Sequence, residues 1–288
     1  MGASGLLIFF TLTRGHLWWD DFAGYLLQAK SILSWNMPDF IKHSNFTVSN
    51  SAYPPGPVAY PWGFPLLLAP IYFIFGLNPL VLKLVNLFAY LIFLYLVWML
   101  ARTRLDNQKS LFVTAFFAFC PVLISANDLI LSDLPFLALS TFSLWLMEKR
   151  FKGKLIDGLA IGISIFLASF FRSNGILLLA PLAILILIED GRNWRASLGK
   201  FLPPLLTLSA LYAAQSLIFP NGQGSYFSHF SLFTPQRLLD NILYYLWLPS
   251  SLFDRMSSGR VSLNRLPCPG ELSTSMLPPS ARTVSRHS

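Results

Sequence analysis

Residues 79–101 read PLVLKLVNLFAYLIFLYLVWMLA, an apolar run broken by one charge, Lys83. A helix that crosses a bilayer needs about 20 such residues, so this stretch sets the fold class. Runs of similar character lie on both sides. Downstream, residues 110–126 and 129–147 read as a helical pair, and 155–171, 174–188 and 199–219 as further spans. A last apolar stretch covers 238–249. Upstream, residues 2–13 are apolar but short; they are expected as a first span that begins before the chain and ends on an aromatic belt at Trp18-Trp19. Residues 65–76, bounded by Pro65 and Gly76, are too short to span and read as a re-entrant or interfacial helix.

Composition agrees. The chain has 288 residues, of which 54% are hydrophobic and 12% charged, with mean hydropathy +0.56. Soluble domains carry about 25% charged residues. The expectation is an all-α polytopic membrane protein with about seven or eight transmembrane helices. The net charge of +8 does not point to nucleic acid, because the basic residues sit in short loops between apolar runs. Arg102, Arg104 and Lys109 follow one span, Lys149, Arg150, Lys152 and Lys154 another, and Arg192, Arg195 and Lys200 a third. These clusters follow every second span, as the positive-inside rule requires of a cytoplasmic face. The opposite, exoplasmic face then receives the 20–60 loop, the turn from Asn127 to Asp133, Arg172-Ser173-Asn174 and the 220–237 loop. Cys120 and Cys268 form no motif, and no signal-peptide cleavage pattern follows the first apolar run.

Within the exoplasmic loop, Asp20 and Asp21 stand side by side in Trp18-Trp19-Asp20-Asp21-Phe22-Ala23-Gly24-Tyr25. Residues 22–34 have helical spacing and are expected to lie on the membrane surface. Tyr53-Pro54-Pro55-Gly56-Pro57 excludes regular helix. Residues 250–288 change character, with five arginines, no lysine, ten serines and one aromatic, Phe253. They are expected as a disordered or aberrant tail after a module spanning 1–249.

Four pieces in this order carry a resemblance: the Asp20-Asp21 pair with Tyr25, Tyr60-Pro61-Trp62-Gly63-Phe64-Pro65, Ser132-Asp133-Leu134-Pro135-Phe136, and Phe171-Arg172-Ser173-Asn174-Gly175. The chain resembles GT-C type glycosyltransferases, in the branch of dolichyl-phosphate-mannose–protein mannosyltransferases and aminoarabinose lipid A transferases. The likeness covers about residues 5–220, which corresponds to the N-terminal catalytic half of such enzymes, so the module is expected to be C-terminally truncated. The resemblance implies transfer of a sugar from a polyprenyl-phosphate carrier to a lipid, protein or glycan acceptor, at the exoplasmic side of a plasma or inner membrane. It also implies that an acid at the position of Asp20 or Asp21 is the catalytic base.

The residues suit that chemistry. An acceptor hydroxyl must lose its proton as it attacks the anomeric carbon, and two adjacent aspartates disfavour joint ionisation; a helix N-cap is the plainer role for the pair. The leaving lipid phosphate needs donors or positive charge. Arg172 offers a fork of donors, or else snorkels to the interface. Lys83 is a second candidate for the phosphate, or else snorkels to the exoplasmic surface; Tyr60 shapes the pocket, and Asp133 either joins it or binds a metal, or caps the helix that it begins. No nucleotide-binding glycine loop and no Cys/His metal cluster is present. No cofactor is expected, although a divalent metal is compatible with the acids. The rivals are a multi-span transporter or flippase, which would show repeats or broken helices at the midplane, and an inactive remnant of the transferase.

Overall fold

The computed structural model describes residues 2–16, 21–50, 57–150, 154–190, 193–220, 234–236, 238–244 and 246. Asp20, the Trp18-Trp19 belt and the 250–288 tail lie outside them. The described residues contain helices and no strand. In chain order these are α1 (Gly2–Thr11), α2 (Phe22–Leu33), α3 (Met37–Asn50), α4 (Gly63–Phe75), α5 (Pro79–Ala101), α6 (Asn107–Ala118) and α7 (Pro121–Ala126). Then come α8 (Asp133–Arg150), α9 (Leu155–Phe171), a 3-10 helix (Ser173–Leu178), α10 (Leu179–Asp190) and α11 (Trp194–Ile218). All belong to one compact unit, residues 1–227; a second unit, 228–288, contributes a short helical piece in which Leu238 N–H donates to Thr234 O at 3.0 Å.

Among the described residues, two helices are long and apolar enough to cross a membrane, Pro79–Ala101 and Arg195–Ile218; Gly63–Phe75, Leu155–Phe171 and Ser173–Glu189 are apolar but shorter. The expected span at 110–126 is broken into α6 and α7. Cys120 is extended (φ −67°, ψ 117°) ahead of Pro121 at the first position of α7, the conformation that a following proline imposes. Pro121 has no N–H to return to α6. The Tyr90 hydroxyl of α5 donates instead to the end of α6, to Ala118 O at 2.8 Å and more weakly to Phe117 O at 3.3 Å, the carbonyl that a residue-121 N–H would have met. The region 37–50, read as loop, is the helix α3. Its Met37 is buried in a cluster with Trp62 and Phe170, and Phe40 and Ile41 pack against the same cluster. Tertiary contact thus overrides a run of weak helix formers.

α5 packs along α8, α8 on α9, α9 on α11 and α2 on α4. Tyr90, Phe93 and Leu94 form the core under α1, α6 and α8. Phe22, Tyr25, Phe64 and Leu68 join α2 to α4, with Leu82 and Ile130 beside them. Ile161, Ile165, Leu182 and Leu208 join α9 to α10 and α11. α11 comes close because α9 offers Gly158 and Gly162, one turn apart: a Cβ on Gly162 would stand 2.6 Å from Pro204 O. Small residues four apart let helix backbones approach in this way. The opposite stripe of α5, Phe88, Ile92 and Tyr95, is exposed, as a lipid-facing stripe would be.

Candidate active site

Asp21 occupies the N-cap position of α2 (φ −65°, ψ −5°), yet its side chain makes no cap bond. Its Oδ1 instead accepts a hydrogen bond from the Tyr60 hydroxyl at 2.7 Å. Tyr60 is held from α2. Gln28, fully buried, donates from Nε2 to Tyr60 O at 3.0 Å and accepts at Oε1 from Tyr60 N–H at 2.9 Å. The Tyr25 and Tyr60 ring centroids are 4.6 Å apart. Asp21, Tyr25 and Gln28 follow at helical spacing, so one face of α2 presents all three. Gly24 completes that face, because a Cβ there would meet Tyr60 Cε2 at 2.6 Å.

The other wall comes from α8 and α9. Ser132 Oγ shares a hydrogen bond with the Tyr25 hydroxyl at 3.0 Å. Asp133, the first residue of α8, pairs through Oδ1 with Arg172 Nη1 at 2.5 Å. Arg172 ends α9 in an extended conformation (φ −146°, ψ 132°), which turns the chain into the 3-10 helix. Asp21, Tyr25, Tyr60, Ser132, Arg172 and Asn174 thereby line a polar cavity of about 70 Å³. Ligand pockets run to about 300–1,000 Å³, so this cavity has room for reacting groups and not for a whole sugar.

Burial pushes the Tyr25 phenol up; the Ser132 hydrogen bond opposes this, and the charge of Asp21 adds to it. The net shift is upward, so Tyr25 stays protonated around neutral pH and serves as a hydrogen-bonding group rather than a base. A carboxylate held by one tyrosine hydroxyl and facing an arginine across a small cavity has the makings of a proton acceptor beside an anion site.

Of the residues singled out from sequence, Asp21, Tyr60 and Arg172 line the cavity, and Asp133 joins it by holding Arg172. Asp20 lies outside the described residues. Lys83 lies elsewhere: its fully buried ammonium contacts Thr13, Gly15 and Asp128. On α3, within the segment that the sequence assigns to the exoplasmic loop, His43 is exposed, its Nδ1 2.8 Å from Asp39 O. Sequence reasoning passed over Gln28, and it placed Ser132 and Tyr25 in the family pattern without giving either a role. The available signal was a polar Gln28 on the apolar face of α2, one turn beyond Tyr25. Among the described residues no group of three or more His, Cys, Asp or Glu side chains is arranged to hold a metal ion.

Among the described residues are two larger, apolar cavities. One of about 470 Å³ lies between α4, α5, α8 and α9 and includes Phe171, which also lines the polar cavity. The other, about 640 Å³ between α5, α6, α7 and α8, shares no residue with it.

Residues 59–219, more than half of the chain, match the family described as dolichyl-phosphate-mannose-protein mannosyltransferase. The match takes in Tyr60, Ser132, Asp133 and Arg172 and begins after Asp21. Neither the curated proteins nor the solved structures contain a significant match. The chain belongs to the dolichyl-phosphate-mannose–protein mannosyltransferase family, glycosyltransferases of the GT-C type.

Proposed function

We propose that this chain is an inverting membrane glycosyltransferase that takes a sugar from a polyprenyl-phosphate carrier and passes it to an exoplasmic acceptor. The observation that carries the reading is Asp21, uncapped, bonded to Tyr60 and sharing one cavity with Arg172. In the reaction Asp21 takes the proton of the acceptor hydroxyl as its oxygen bonds to the anomeric carbon. The bond from that carbon to the carrier phosphate breaks, and the phosphate leaves with the electron pair. Arg172 carries five N–H donors, and its pair with Asp133 uses Nη1, so other donors can meet the phosphate oxygens. Asp133 orients the guanidinium, and the Tyr60 hydroxyl keeps Asp21 pointed into the cavity.

The carrier's prenyl chain suits the groove of about 470 Å³, which begins at Phe171 where the polar cavity ends. Leu67, Ile71 and Phe88 offer it an apolar wall. α8 and α9 would cross the bilayer beside α5 and α11 as shorter spans, which thinning or flanking residues accommodate at modest cost. The basic loop at Arg102–Lys109 faces the cytoplasm in this reading, with α2 and α3 on the outer surface.

The test measures transfer of radiolabelled sugar from a panel of polyprenyl-phosphate sugars in membranes, comparing wild type with Asp21→Asn and Asp20→Asn. Loss of general-base catalysis should cost Asp21→Asn about 100-fold or more with membrane insertion unchanged. Transfer by Asp21→Asn at the wild-type rate, or transfer from a nucleotide sugar in place of the lipid donor, would overturn the assignment. A folded wild type silent with every donor would sink the transferase reading itself.

A further inference from the structure

Lys83 and Asn86 stand one turn apart on α5, both buried, and they grip two segments that lead into the candidate site. Lys83 Nζ lies 3.0 Å from Thr13 O, 2.9 Å from Thr13 Oγ1, 2.6 Å from Gly15 O and 2.7 Å from Asp128 Oδ1. Thr13 closes the cluster. Its N–H donates to Asp128 Oδ1 at 2.8 Å and its hydroxyl lies 2.8 Å from Oδ2. Asn86 Nδ2 donates to Leu129 O at 2.5 Å. The Thr13 segment reaches the start of α2 at His16, whose ring centroid stands 4.0 Å from that of Phe22, the residue after Asp21. The Asp128 loop runs into Ser132, which bonds Tyr25, and Asp133, which bonds Arg172.

An ammonium has three N–H donors and no acceptor. Four protein oxygens already surround this one, so no donor is left for a phosphate. A buried charge in an apolar helix is expensive and pairing it returns only part of the cost; a leucine would fill the space more cheaply. What the charge adds is direction: it fixes two otherwise separate chain segments to one point on α5. Burial pushes the Asp128 carboxyl up, but the hydrogen bonds from Lys83 and Thr13 outweigh it and hold the group below its ordinary value.

We infer that Lys83, Asp128 and Thr13 form a latch that positions the catalytic base: through α5 it ties the Thr13–His16 segment, which packs on Phe22 beside Asp21, to the loop carrying Ser132 and Asp133. Lys83 is then a positioning residue that never touches the donor phosphate. The inference rests on Asp21 being the base, as proposed above.

The experiment compares wild type with Thr13→Val, Asp128→Ala and Lys83→Met in two measurements. Steady-state transfer from a radiolabelled polyprenyl-phosphate sugar gives kcat and donor KM. Hydrogen exchange on the detergent-solubilised full chain follows peptides from the Thr13 segment, the 127–133 loop and, as a reference, α9. A misplaced base should lower kcat about 10–100-fold while donor KM stays within about twofold, because no ground-state contact is lost. Exchange should rise in the Thr13 segment and the 127–133 loop and stay constant in α9. Thr13→Val leaves Lys83 with Asp128, Thr13 O and Gly15 O, so it reports even if Lys83→Met, or Asp128→Ala, which strands the buried ammonium without its carboxylate, fails to fold. A raised donor KM with kcat intact would overturn the inference and return Lys83 to the phosphate. Faster exchange with unchanged kcat would reduce the latch to a structural tie, and unchanged exchange would remove it. If the wild type transfers nothing, the transferase reading falls, while exchange alone still decides whether the latch exists.

Discussion

At the candidate base, geometry is set by an amide. Gln28 binds both the N–H and the carbonyl of Tyr60, and this delivers the Tyr60 hydroxyl to Asp21 Oδ1. The amide is complementary to a peptide group in a way that no apolar residue of similar length is. Gln28→Leu should strip Tyr60 of both bonds, at about 1–3 kcal/mol for each group left unpaired inside the protein. Transfer should fall more than stability does, because the ring that steadies Asp21 drifts. Thermal unfolding in detergent and the transfer assay, run side by side, check this. A variant that loses neither would show that the Gln28 amide is not what holds Tyr60.

Helix pairs in this protein meet where small residues and prolines face each other. On α9, a Cβ at Gly158 would come 2.9 Å from Pro203 Cβ, and one at Gly162 would come 2.6 Å from Pro204 O and 2.7 Å from Thr207 Cβ. Carbonyl oxygen cannot swing aside as a side-chain tip can, so α11 would have to move as a body. Gly162→Val is expected to destabilise by about 1–3 kcal/mol or more. Gly199, also on α11, has nothing within 4 Å of an added Cβ, and Gly199→Ala should be neutral or stabilising by up to about 1 kcal/mol. Paired melting curves in detergent decide it: a Gly162→Val as stable as Gly199→Ala would mean that α9 and α11 are not in close contact. The link to function is direct, since α9 ends at Arg172 and its tilt sets where that guanidinium stands.

Across the whole molecule, apolar residues sit outside as well as in the core. Phe73, Phe88, Phe112 and Phe116 are each more than half exposed, which in water would be an aggregation-prone surface and in lipid is ordinary. The proposed orientation places α3 outside the cell and the α5–α6 turn inside. With Cys120 and Cys268 replaced by serine, His43→Cys should react in intact cells with a membrane-impermeant thiol reagent. Thr103→Cys should react only after permeabilisation. The reverse pattern would invert the topology and put Asp21 on the cytoplasmic side.

How much of this was legible in the sequence differs by kind of information. Hydropathy is a local property, so the helical class, the length of α5 and the stop at Gly76 could be read directly; the start expected at Pro65 could not, because α4 begins at Gly63 and takes Pro65 into its first turn. The order of the Asp21, Tyr60, Ser132-Asp133 and Arg172 pieces was likewise enough to suggest the family to which the chain belongs. Partnerships are not local. Lys83 looked like an anion binder because a lone lysine in an apolar run normally signals function, and only folding brought Thr13, Gly15 and Asp128 around it. Gln28 carries no mark of its role in the sequence, because its amide meets the Tyr60 peptide only once α2 packs on α4. The sequence by itself determined which segments become apolar helices, because that follows from composition along the chain. Tertiary structure alone decided which polar groups satisfy one another and which are left to line a cavity, because a buried polar group takes the partners that packing brings within reach.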